Sequence, residues 1–189
     1  GDILLDRTYP SRACQILDKD PIIDFVHADL IFEDRLIGPY VMRPLRIKNI
    51  LYPNIGRGMP YRHQSMVVRK EVFDRVGLFN LDYISSDYDW ICKWELSLKK
   101  SSGKAYYSHG VPVIKMDGGG ISSTQESKII LEAIQIIKQR NRNLSFLEKM
   151  ESDLALFTRL VFFYCRFLLK TMGFMNILIK LKKLKYHRF

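Results

Sequence analysis

Residues 83–94 read YISSDYDWICKW: two serines, two aspartates around a tyrosine, then an apolar run. Asp87 and Asp89 suit the first turn of a helix, where carboxylates complement the helix dipole. Ser86 stands where an N-cap would, with Asp89 three residues on, a weak form of the capping box. Residues two apart on a helix point about 200° apart, so the two carboxylates do not share a face. Asp89 faces Lys93 at i, i+4, the order that favours an ordinary surface pair. Asp87 shares its face with Trp90, Ile91 and Trp94, which places a carboxylate at the edge of an apolar wall. A carboxylate there needs a partner or a purpose. Asp87 is therefore the candidate functional group and Asp89 the structural one.

Outward from this stretch the chain alternates strand and helix patterns, which defines an α/β fold class. Residues 7–18 predict a short helix, with Pro10 confined to its first turn. Residues 22–34, IIDFVHADLIFED, read as one strand, and 64–69, QSMVVR, as another. Between them, residues 35–60 are punctuated by prolines and glycines and predict a long, partly irregular connection. KEVFDRVG (70–77) is a short helix closed by Gly77. The helix carrying the aspartates spans 87–99. KAYYS and VPVIKM are short strands, DGGGISS a glycine-rich loop, and 124–140 a helix with Ile129, Ala133, Ile136 and Ile137 on one face.

The 189 residues suffice for a real core. Three scattered cysteines, Cys14, Cys92 and Cys165, fit neither a disulfide framework nor a zinc site and favour a reducing compartment. The net charge of +10 is unevenly spread. After Asp153 there is no acidic residue, while eight basic ones remain, so the rest of the chain is close to neutral. That balance argues against a whole-domain nucleic-acid binder and for a local anionic partner. Within this tail Arg159, Arg166 and Lys170 interrupt an apolar run at spacings of seven and four and share a helical face. The pattern predicts an amphipathic helix pair lying in an anionic membrane interface, its cations over the headgroups. A core-packing helix with a solvated basic face is the alternative. The opening GDILLDRTYP has no signal-peptide pattern and starts within what looks like a strand end, so residues are expected to precede it.

YRHQSMVVRKEVFDRVGLFNLDYISSDYDWICKW resembles the second half of a glycosyltransferase family 2 domain, which has the GT-A fold. Arg69, Phe73, Gly77, Phe79, Tyr83 and Asp87-Tyr88-Asp89 fall into that family's frame, GGGIS (118–122) is similar to its glycine-rich loop, and GDILLD looks like the tail of its metal motif. The resemblance implies that residues 1–123 are the C-terminal half of a GT-A domain and 124–189 a helical region ending in a membrane-associating tail. It implies an inverting transferase that moves a sugar from a nucleotide-sugar donor to a hydroxyl of a glycan or lipid-linked acceptor, at the cytoplasmic face of the membrane. Asp87 would be the general base, and Asp2 would bind Mg²⁺ or Mn²⁺ on the donor diphosphate. His63 and Gln64 would line the sugar or diphosphate pocket, although His63 reads equally as a hydrogen-bonded histidine at a strand start. Asp29 reads as a strand-end carboxylate. The family's nucleotide-binding first half would lie before Gly1, so these residues alone are expected to be inactive. A truncated, non-catalytic remnant that keeps only membrane association is the alternative.

Overall fold

The structure, a computed structural model, describes residues 2–43, 55–120 and 124–186. Its strands are β1 (Ile3–Leu4), β2 (Ile23–Ala28), β3 (Leu30–Asp34), β4 (Gly38–Met42), β5 (Val67–Val68), β6 (Lys104–Ser108) and β7 (Ile114–Asp117). Its α-helices are α1 (Tyr9–Lys19), α2 (Lys70–Val76), α3 (Ser86–Ser97), α4 (Glu126–Asn141), α5 (Phe146–Thr171) and α6 (Met175–Tyr186). The fold is α/β with two mixed sheets, ordered β1-β7-β3-β4 and β5-β2-β6. Parallel pairing joins β2 to β6 and β3 to β7; the remaining pairs are antiparallel.

The extended run expected over 22–34 is two strands, not one. It passes from one sheet to the other at Asp29, and the segment that pairs with it does the same between β6 and β7. The joint is tied by side chains and backbone: the Tyr107 hydroxyl donates to Asp29 Oδ1 at 2.5 Å, and the Val113 N–H donates to the Asp29 carbonyl at 3.1 Å. Asp29 is thus a buried strand-joint carboxylate, as a structural reading of it requires. Within the irregular connection, Asp34 accepts from the N–H groups of Leu36 and Ile37 and turns the chain into β4, a strand the sequence reading did not place. Residues 44–54 of that connection, and 121–123 of the glycine-rich loop, lie outside the described residues.

The larger core gathers around α3. Trp90 and Trp94 are fully buried, and Phe25 of β2 meets the Trp94 ring edge-on at 4.8 Å. Trp94 Nε1 donates to Asp24 Oδ2 at 2.7 Å, and Arg75 of α2 reaches the same oxygen at 2.5 Å, so one buried carboxylate of β2 fixes both helices. A second cluster packs Tyr9, Ala13 and Leu17 of α1 on Val26 and Ala28 of β2.

The C-terminal helices lie against this core. Arg140 of α4 is buried between Glu95 of α3 (3.2 Å) and Ser152 of α5 (3.0 Å). The Ser145 and Glu148 side chains form a reciprocal capping box that starts α5. A 3-10 turn at Ile55–Arg57 meets α5 at Gly56, where a Cβ would fall 2.8 Å from the Ser152 carbonyl oxygen. The helix pair expected in the tail is present, but two of its cations face the body rather than outward. The Arg159 guanidinium lies 5.3 Å over the Tyr88 ring, and Arg166 pairs with Glu126 at the start of α4. Lys182 of α6 pairs with Asp34. Among the described residues no helix is long and apolar enough to cross a membrane.

Candidate functional site

Asp87 stands in the first turn of α3, and its position follows from how that helix begins. Ser85 is the N-cap residue but makes no side-chain cap, so the expected Ser86–Asp89 capping box does not form. The cap comes from α4 instead. Glu132 accepts the N–H of Ile84 at 3.2 Å and of Ser85 at 2.9 Å. A carboxylate from a neighbouring helix thus satisfies N–H groups that a local cap would otherwise take.

The first turn then distributes its side chains to four partners. Asp87 Oδ2 lies 2.7 Å from His63 Nδ1. The Tyr88 hydroxyl donates to the Ile55 carbonyl, in the turn that supports α5. Asp89 pairs with Lys93 at 2.6 Å, off the hydrogen-bond axis. Trp90 Nε1 donates to the Gly77 carbonyl at 2.9 Å and so draws the end of α2 against α3. Gly77 ends α2 at φ +91°, a conformation that favours glycine. Asp89 does pair with Lys93, but it is buried rather than on the surface.

His63 opens a 3-10 turn, His63–Ser65, where a strand was expected; only Val67–Val68 of that run is a strand. Ser65 holds the turn to β2: its hydroxyl oxygen accepts the Ala28 N–H at 2.9 Å and lies 2.8 Å from the Ala28 carbonyl. The Tyr9 hydroxyl donates to the Ser65 carbonyl at 2.6 Å. His63 is therefore presented by a turn pinned at its other end.

His63 and Asp87 sit at a cavity of about 280 Å³ between β5, α2 and α3, walled by Phe73, Phe79 and Trp90. The three rings are mutually tilted, with centroids 5.1 to 5.8 Å apart. Asp87 is 26% exposed, so solvent and a small ligand reach it. Burial, the largest single influence, would raise its pKa, but the His63 hydrogen bond and charge, together with the backbone N–H groups of Asp87 and Tyr88, hold the carboxyl below its ordinary range. The arrangement is an ionised, oriented carboxylate beside apolar ring faces. It can accept a proton from a hydroxyl of a ligand whose other face is apolar.

The structure brings together two of the four predicted site residues. Gln64 turns the other way and donates to the Met116 sulfur at 3.1 Å. Asp2 is an exposed residue just before β1, outside the cavity lining. Among the described residues no three His, Cys, Asp or Glu side chains are grouped so as to hold a metal ion. Mg²⁺ at a phosphate substrate commonly takes only one or two protein carboxylates, with phosphate oxygens and water completing its shell, and Asp2 would supply one such carboxylate.

The sequence reading did not assign Phe73 or Phe79 to the cavity, nor Glu132 to the α3 cap. Glu132 carried a legible signal: an acid beside the apolar face of Ala133, Ile136 and Ile137 is buried and needs donors. The aromatic wall carried none, because it forms only when Trp90 draws α2 onto α3. No family model matches this chain, and no curated protein matches it.

Proposed function

We propose that this chain is the acceptor-side portion of an inverting glycosyltransferase that uses a nucleotide-sugar donor in polysaccharide or lipid-linked glycan synthesis, at the cytoplasmic face of a membrane. The observation that carries the reading is Asp87, held by His63 at the mouth of an aromatic-walled cavity. Asp87 takes the proton of an acceptor hydroxyl as that oxygen bonds to the anomeric carbon. The bond from that carbon to the donor diphosphate breaks, and the nucleoside diphosphate leaves with the electron pair. A carboxylate suffices, because the hydroxyl becomes acidic as the new bond forms. One Asp87 oxygen is engaged by His63, and the other is the one for the acceptor.

The cavity volume lies at the small end of ligand sites, about 300–1,000 Å³. That size suits a sugar ring rather than a whole nucleotide sugar. The aromatic faces match the apolar face of such a ring, and Asp87 matches a hydroxyl on its edge. Asp2 would help to hold Mg²⁺ or Mn²⁺, which would offset the charge of the leaving diphosphate.

The second reading is a truncated, non-catalytic remnant that keeps only membrane association, for which the exposed apolar residues of α5 suffice without the cavity. Nucleoside diphosphate release from a panel of nucleotide sugars, with a glycan acceptor and Mn²⁺, separates the two. Acceptor-dependent release supports the transferase. Absence of release across the panel, in protein that still floats with vesicles, supports the remnant.

A further inference from the structure

We infer that the outer face of α5, continued on α6, is a lipid-binding surface that beds into an anionic headgroup layer. This rests on the membrane part of the reading above and is independent of the glycosyl-transfer chemistry.

On α5, Leu154, Phe157, Val161, Tyr164 and Leu168 follow one another at spacings of three, four, three and four, and all are exposed. With Phe162, 73% exposed, they span an arc of about 160° at 100° per residue. The other side of the helix is occupied: Ser152, Ala155 and Leu156 are buried on the body, and Arg159 and Arg166 reach Tyr88 and Glu126. The body therefore engages Arg159 and Arg166 and leaves the apolar side outward as a contiguous stripe rather than scattered single residues.

Two features select lipid over a second copy of the chain. A self-pairing helix with this spacing carries charges along the flanks of its seam. From residue 154 on, the flanking positions here are Thr158, Leu160, Cys165 and Phe167, with no charge among them. A protein interface also has a polar rim around its apolar centre, and this one has none on those flanks. The second feature is charge sign. The acids of α5 end at Asp153, and every charged residue beyond it is basic. On α6, Ile177, Leu181 and Leu184 are exposed with Lys180 and Lys183 beside them. Lysine stems lie along apolar surface and place their ammonium groups at headgroup level.

The test is flotation of the full chain with phosphatidylcholine vesicles, with and without phosphatidylserine. Phe157→Ser/Phe162→Ser alters the proposed face, and Leu81→Ser alters an exposed leucine elsewhere. Wild type is expected to float with the anionic vesicles and more weakly with the neutral ones. The double variant should bind at least about a hundredfold more weakly, since two phenylalanines no longer bury apolar surface in the layer; Leu81→Ser should bind as wild type does. A fluorescent polarity probe checks the face with its phenylalanines in place. Cys14 and Cys165 are both exposed free thiols. A dye on Cys165 should shift blue with vesicles, and the same dye on Cys14 should not. Undiminished flotation of the double variant, or no shift at Cys165 while the protein floats, overturns the assignment of the face. Wild type that does not float overturns the membrane reading itself and leaves transfer to a soluble acceptor untouched. A wild-type dimer that the double variant converts to monomer, without flotation, assigns the face to a second copy instead.

Discussion

Asp87 Oδ2 lies 2.7 Å from His63 Nδ1, across the gap between a 3-10 turn pinned to β2 and the first turn of α3. Neither residue alone defines a site: Asp87 would be a helix-start carboxylate and His63 a turn histidine. Together they set the orientation and ionisation of a carboxylate facing an aromatic cavity.

His63 is a positioning residue in this account, and the pH profile shows it. The pair holds Asp87 ionised below the ordinary carboxylate range. In His63→Ala burial is opposed only by the backbone N–H groups of Asp87 and Tyr88, so the acid limb of kcat/KM should move to higher pH. A residue that only supported the turn would lower activity without moving that limb.

Gly56 is where the 3-10 turn meets α5. A methyl group there would lie 2.8 Å from the Ser152 carbonyl oxygen and 3.0 Å from Ala155 Cβ. Gly56→Ala should destabilise the protein by about 1–3 kcal/mol, the usual range for an overpacked contact. Urea unfolding measures it; an unchanged midpoint would mean that α5 is not seated there.

The buried Glu95–Arg140 pair fastens α3 to α4. Burial pushes the Glu95 carboxyl up to about 7, with Arg140 opposing. Arg140→Met should cost about 3–5 kcal/mol above neutral pH, where Glu95 must either stay ionised without a partner or take up a proton. The loss should shrink as the pH falls and Glu95 takes a proton.

His27 gives stability an acid limb. It is buried, and burial with the nearby Arg62 charge pushes it from 6.5 down to about 4. The unfolded chain therefore binds more protons between those values, and stability conferred by neutral His27 is lost as pH falls through that window. Urea midpoints of His27→Phe and wild type, measured across the same window, should show a shallower decline in the variant. Parallel declines would contradict the assignment.

Much of this fold is legible in the sequence. The helices at 9–19, 70–76, 86–97 and 126–141 follow from periodicity and from Gly77. The split of 23–34 at Asp29 was not legible, because an extended run gives no local sign that it changes sheets. The helical offset separates Asp87 from Asp89, and the two do take different partners, His63 and Lys93, but the offset put Asp89 on the surface, whereas Asp89 is the more buried of the two. The cap from Glu132 comes from α4, 47 residues beyond Ser85, and no local rule reaches that far. The direction of Arg159 and Arg166 was misread for a related reason. Their shared face was correctly inferred from spacing, but spacing does not say whether a cationic face meets lipid or the body's own Tyr88 and Glu126.

The most direct test of the central claim is acceptor-dependent nucleoside diphosphate release by wild type and Asp87→Asn, with donor binding measured alongside. Asparagine keeps the shape of the side chain and removes its capacity to take a proton. The account predicts that transfer falls by at least about a hundredfold while donor affinity is unchanged. Wild-type turnover in Asp87→Asn would contradict it.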